Sequence, residues 1–140
     1  MADVHSVETR SYNMSRIRSG NTKPEMIVRR YLFAQGFPYR LHVKQLPGKP
    51  DIVLHKYKTI IFIHGCCWHG HYGCRYYVVP KTRTDWWLDK ISKNQVNDEQ
   101  NVNKLMNAGW KILTIWECEL KKAIREQTLF ALKQKLVDGA

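Results

Sequence analysis

The nine-residue stretch Cys66-Cys67-Trp68-His69-Gly70-His71-Tyr72-Gly73-Cys74 carries three cysteines and two histidines, and His64 precedes it by two positions. Thiolates and imidazoles are the donors that zinc prefers, and a closed structural site takes four of them in a tetrahedron. Cys66, His71 and Cys74 supply three donors from one loop, and Cys118, the remaining cysteine, supplies a fourth from far along the chain. Cys67 and His69 compete for the same places, and spacing alone does not exclude them, since it fits no common finger signature. Such clustering points to metal binding before disulfides.

A second chemical signal is a solitary acid. Between Glu25 and Asp85 there are ten Lys or Arg residues and one carboxylate, Asp51. A lone negative group in a basic stretch weakens phosphate binding unless a cation covers it, as a divalent ion does in a phosphodiester-cleaving site. The chain as a whole has 23 basic and 12 acidic residues, a formal net charge of +11. That balance favours a polyanionic partner, because each basic group set on a phosphate releases a condensed counterion. The expected partner is therefore nucleic acid.

These residues need a scaffold to place them. At 140 residues, 44% hydrophobic and 11% aromatic, the chain has the size and composition of one globular domain. The polar start, residues 1–11, is unlike a signal peptide, and the longest apolar run, Ile60 to Ile63, is too short to span a bilayer, so a soluble cytoplasmic protein without a membrane partner is expected. Residues 1–20, with scattered arginines, read as an arm that orders on a partner, and residues 21–140 as the domain proper.

Asn21 or Thr22 suits a helix cap, Pro24 the first turn and Gly36 the end, with Ile27, Val28, Tyr31 and Leu32 as the apolar stripe. Tyr39, Leu41 and Val43 alternate as in a strand. Asp51–Leu54 and Thr59–Ile63 predict two antiparallel central strands. Residues 64–83 read as a loop. Thr84 is a candidate cap for a helix from Asp85 into the low 90s, and a second helical pattern around Val102, Leu105 and Met106 stops at Gly109. Trp110 to Trp116 predicts a returning strand, and Leu120 to Val137 a final amphipathic helix. The order implies an α/β fold: a mixed sheet whose last strand arrives by a helical crossover, with helices on both faces.

Several stretches together resemble the very-short-patch mismatch repair endonuclease family. They are Met1-Ala2-Asp3-Val4-His5, Pro47-Gly48-Lys49-Pro50-Asp51, Ile61-Phe62-Ile63-His64-Gly65-Cys66, Trp68-His69-Gly70-His71, Pro80-Lys81-Thr82-Arg83-Thr84 and Trp110 through Cys118. The likeness runs from residue 1 to about residue 120, and the His64–Cys74 window carries most of its specificity. It implies a restriction-endonuclease-like mixed sheet flanked by helices, with one structural zinc site and one nicking site. Cys66, His71, Cys74 and Cys118 match the family's zinc ligands, which settles the contest with Cys67 and His69. Asp51 matches the carboxylate that holds magnesium. The acid-x-Lys pair usual in the superfamily is replaced by Phe62-Ile63-His64, and the second protein ligand, a backbone carbonyl, falls at Ile63. Glu25 matches a carboxylate that holds water on the ion. His64 and His69 match the histidines beside the scissile phosphate, with His69 the better placed to activate water.

The resemblance also assigns DNA contacts. Trp68 and Trp87 match aromatics inserted between base steps. A third wedge position falls at Cys67, where the family usually has Phe, which implies a thinner stack and altered selectivity. Lys90 and Asn94, four apart on one helix face, match positions touching the mismatched pair, and Met14 and Ile17 match residues reaching the minor groove. The implied activity is a magnesium-dependent nick beside the thymine of a T:G mismatch, of the kind left by deamination of 5-methylcytosine, in the bacterial cytoplasm at the nucleoid. Two other outcomes are consistent with the residues: a broader or restriction-associated nickase, and a zinc-stabilised DNA-binding module without catalysis. A monomer suffices for a single-strand nick; a cytosine methyltransferase or mismatch-repair proteins are the candidate protein partners.

Overall fold

The computed structural model describes residues 22–138. The expected arm, with Met14 and Ile17, lies outside the described residues. Helix α1 spans Lys23–Ala34, and strands β1 (Arg40–Leu41), β2 (Ile52–Leu54) and β3 (Thr59–His64) follow. Helix α2 is Thr84–Asn107, β4 is Lys111–Trp116, and α3 is Arg125–Asp138. The sheet order is β1-β2-β3-β4, with β1–β2 and β2–β3 antiparallel and β3–β4 parallel across the α2 crossover. This is the mixed sheet that the sequence implies.

Side-chain alternation along the strands divides the interior in two. Ile52, Leu54, Ile61 and Ile115 face Val28 and Leu32 of α1 and Leu129, Leu132 and Leu136 of α3. Val53, Ile60 and Phe62 face Leu105 of α2, with Val102, Trp110 and Ile112 packed around them. Helices therefore cover both faces. Strands buried on both sides read as unbroken apolar runs, as β2 and Ile60 to Ile63 of β3 do.

Three local expectations are corrected. The two helices expected between Asp85 and Gly109 are one 24-residue helix. Its inner stripe runs Ile91, Gln95, Asp98, Val102, Leu105 at regular helical spacing, but the middle of that stripe is polar because it faces a site and not a core, so the apolar period lapses there. The strand through Val43 is paired only at Arg40–Leu41, because His42 turns left-handed (φ 48°). The last helix begins at Arg125, not Leu120; a 3-10 turn, Glu117–Leu120, precedes it, and the Arg125 Nε donates back to the Leu120 carbonyl at 2.8 Å. The caps differ as well. Thr22 holds the N-cap position of α1 without a side-chain cap bond. Arg83, also left-handed, precedes α2, while Thr84 Oγ1 donates to the Pro80 and Lys81 carbonyls.

Candidate active site

The start of β2, the end of β3, the loop after it and the inner face of α2 enclose a cavity of about 670 Å³, and the start of α1 closes one side. Glu25, Asp51, Ile63, His64, Trp68, His69, Lys90, Asn94 and Asp98 all line it. Residues far apart in sequence thus meet around one cavity.

Asp51 opens β2. Continuing the β2–β3 register would set Ile63 opposite Pro50, which has no N–H to offer the Ile63 carbonyl, and the Ile63 N–H donates to Asp51 Oδ2 at 2.8 Å. That bond aims the carboxylate and brings the Ile63 backbone beside it. Burial pushes the Asp51 carboxyl up to about 6, the Ile63 bond opposes this, and the negative Glu25 adds to the rise. Glu25 is 1% exposed. Arg29 donates to its Oε2 at 3.2 Å, one helical turn on, and His42 Nε2 lies 2.7 Å from its Oε1. The donor atoms of Glu25, His42 and Asp51 fall within 4.8 Å of one another.

Across the cavity, His64 and His69 stack with ring centroids 3.8 Å apart and planes 5° from parallel. Trp116 meets His64 edge-on at 5.2 Å. Burial pushes the His64 imidazole down to about 4, helped by His69, so it is neutral at physiological pH. His69 Nδ1 lies 2.6 Å from Asp98 Oδ2. An acceptor at that distance selects the tautomer with its proton on Nδ1, which leaves the Nε2 lone pair free to take a proton.

The loop between β3 and α2 is tied to the helix along the same polar stripe. Asn94 Nδ2 donates to the Trp68 carbonyl at 2.9 Å and Gln95 Nε2 to the Gly70 carbonyl at 3.1 Å. Gly70 is buried with φ +66°, and a Cβ there would run into the Gln95 amide and Ile91. Glycine is what lets the loop lie this close. Trp68 and Trp87 meet at 5.1 Å, and Trp86, 41% exposed, stands edge-on to Trp87 at 4.9 Å with the Arg83 guanidinium over its face. Trp68 and Trp87 therefore form one aromatic edge beside the cavity. Cys67 is turned away, its thiol donating to the Val78 carbonyl at 3.2 Å. Asn94 spends its amide on the Trp68 backbone here, while Lys90 lines the cavity.

Behind this loop the donor atoms of Cys66, His71, Cys74 and Cys118 gather within 4.8 Å of one another, a group able to hold a metal ion. Cys118 Sγ and His71 Nδ1 are 3.5 Å apart, and the His71 ring stacks on Trp116 at 4.1 Å. Burial pushes the Cys66 thiol up to about 12. The Cys118 thiol is raised by burial too. The Cys74 thiol moves the other way, lowered against burial by hydrogen bonds from the Tyr76 N–H and the neighbouring thiols, and a cation joining the three would favour the thiolates. Cys67 and His69, the competing donors, are outside the group.

His42 and Asp98 are members of the site that were not among the expected residues. Asp98 carried a faint signal, since it falls on the stripe of α2 where an apolar residue is due. His42 carried none, because its role depends on a backbone turn and on a partner 17 positions away.

Comparison with known proteins agrees with this layout. The profile of the family described as DNA mismatch endonuclease Vsr matches residues 2–75. The chain is 49% identical over 140 residues to the type II nicking enzyme V.NmeAIP of Neisseria meningitidis serogroup A, covering 99% of each chain. It is 46% identical to the type II nicking enzyme V.XorIIP of Xanthomonas oryzae, over 86% of this chain and 88% of that one. To the DNA mismatch endonuclease Vsr of Escherichia coli it is 44% identical, over 86% of this chain and 77% of that one. Such likeness, spread over both the acid wall and the histidine loop, sets aside a non-catalytic binding module. A basic α/β domain with this cavity, matched along its length by nicking and mismatch endonucleases, belongs to the DNA mismatch endonuclease Vsr family and is a DNA endonuclease.

Proposed function

We propose that this endonuclease nicks one strand of duplex DNA beside the thymine of a T:G mismatch, with magnesium at Asp51 and zinc at the cysteine cluster. The observation that carries it is the pairing, across one cavity, of an anionic wall (Asp51, Glu25) with an imidazole whose tautomer is set by Asp98. The oxygen donors of Asp51 and the Ile63 carbonyl suit a hard divalent cation. When bound, that ion supplies charge neutralisation for the phosphoryl centre. Glu25, held on both oxygens by Arg29 and His42, stands in the same wall. His69 Nε2 accepts the proton of the attacking water, and Asp98 stabilises the imidazolium that results. His64, neutral and stacked against it, fixes the plane of the His69 ring.

The cysteine cluster fits zinc. A tetrahedral site with Zn–S and Zn–N bonds of ordinary length has S···N edges of about 3.6 Å, and the Cys118–His71 separation is 3.5 Å. The ion would pin the loop carrying Trp68 and His69, next to His64 at the end of β3, to the turn after β4. Trp68 and Trp87 are the wedge for the weakened base step, and Lys90 is the cationic contact beside it. The arm, residues 1–20, with Met14 and Ile17, is assigned to the minor groove on the family likeness. A monomer acting in the cytoplasm completes the reading.

A second reading is a nickase of broader range attached to a restriction system. Two observations favour it: relatives of 49% and 46% identity are named type II nicking enzymes, and Cys67 offers no ring at the third wedge position. Strand-resolved cleavage of T:G and matched T:A duplexes, with and without Mg2+, decides. Preference for T:G with Mg2+ supports the first reading, equal rates support the second, and undiminished nicking by Asp51→Asn overturns the metal mechanism of both.

A further inference from the structure

His42 stands where the two acids of the cavity meet. Its backbone N–H donates to the Asp51 carbonyl at 3.1 Å, one step past the paired end of β1. Its imidazole lies 2.7 Å from Glu25 Oε1. Arg29 holds the other oxygen at 3.2 Å from within the same helix, so the buried carboxylate is gripped from two sides by residues of different elements.

The backbone at this point is in an unfavourable region. His42 has φ 48°, and a non-glycine residue in the left-handed region costs about 1–2 kcal/mol. Such outliers persist where the surroundings over-determine them, and they concentrate at functional sites. Here the turn interrupts the strand alternation and swings the ring onto Glu25. Yet His42 is not part of the cavity wall, whereas Glu25 and Asp51 are. It touches the acids from behind.

We propose that His42 is a positioning residue for the divalent-ion site, setting the spacing and orientation of Glu25 and Asp51 through its ring on one and its backbone on the other. This rests on the reading that those carboxylates hold the ion. Partners that orient a metal's ligands typically account for about 10–100-fold in metal affinity when removed.

The test uses the full zinc-loaded chain, with Mn2+ as the binding probe and Mg2+-dependent nicking as the second readout. His42→Gly removes the ring and also relieves the left-handed strain, so a folded protein is expected. His42→Gln keeps a side-chain N–H donor at similar reach. The expected result is a loss of about tenfold or more in Mn2+ affinity for His42→Gly, with recovery of most of it in His42→Gln. The Mg2+ concentration needed for half-maximal nicking rises in parallel, and saturating Mg2+ restores most of the rate. Wild-type Mn2+ affinity and Mg2+ requirement in His42→Gly would overturn the proposal. So would nitrogen coupling to bound Mn2+ in pulsed electron paramagnetic resonance that disappears in His42→Gly, because His42 would then be a ligand itself. Asp51→Asn separates the two levels. If it loses Mn2+ while His42→Gly does not, only the positioning role fails; if it binds Mn2+ normally, the metal-site reading fails and takes this inference with it.

Discussion

Asp51→Asn should make the ion-free protein more stable at neutral pH while abolishing its nicking. The side chain is half-buried beside another acid, and its carboxyl is raised from 3.8 to about 6, first by burial and then, against the Ile63 bond, by Glu25. The folded state therefore binds the proton more tightly than the unfolded chain does. Stability contributed by this group is complete below the unfolded value and is lost as pH rises through the folded one, the reverse of an ion-paired carboxylate. The full loss corresponds to about 3 kcal/mol, and the partial exposure of Asp51 trims this to about 2–3 kcal/mol. Asparagine removes the charge and still accepts the Ile63 N–H. Urea unfolding of zinc-loaded protein without Mg2+ should then show the variant ahead by about 2–3 kcal/mol at pH 8, or about 6–10 °C in melting temperature. At pH 4.5, where the wild-type carboxyl is largely protonated in the fold, the gap should shrink to about 1 kcal/mol. His64, depressed from 6.5 to about 4, works in the opposite sense, with stability lost as pH falls from 6.5 to 4, but it is common to both proteins and cancels. Added Mg2+ should raise the wild type alone. A variant less stable at pH 8, or a gap that does not change with pH, would refute the account of a charge held there for the cation's sake.

Two further outcomes follow from the geometry. Asp98→Asn leaves the His69 ring in place but replaces the acceptor-only carboxylate with a neutral amide that neither fixes the tautomer nor steadies the imidazolium, so nicking should fall by about 10²–10⁴-fold while Mn2+ affinity stays unchanged; a wild-type single-turnover rate would refute the role. Cys118→Ser, or removal of zinc by a chelator, releases a cross-link between Cys66 and Cys118 that closes a loop of about 50 residues, worth about 4 kcal/mol by loop entropy. Metal content together with unfolding free energy measures it, and a zinc-free protein of unchanged stability would refute the assigned site.

The strands were legible because β2 and β3 are buried on both faces and their apolar runs are unbroken. Helix α2 was not, because its central residues face the loop and the cavity. Asn94, Gln95 and Asp98 bond to Trp68, Gly70 and His69 in that order, and a stripe kept polar by those contacts looks like a gap between two helices. The left-handed turn at His42 was invisible for a different reason, since a non-glycine residue adopts it uncommonly and no local spacing announces the contacts to Glu25 and Asp51 made there.

By itself the sequence determined the chemical inventory: a thiol and imidazole cluster, a solitary carboxylate in basic surroundings, and apolar runs long enough for a two-sided sheet. Those follow from residue types and short spacings, which one dimension records in full. What holds the reacting groups in place was decided by the tertiary structure alone. Asp98 on His69, His42 on Glu25 and the Ile63 N–H on Asp51 join residues 12 to 29 positions apart. Each contact depends on strand register and helix rotation, which only the packing of the two core layers defines.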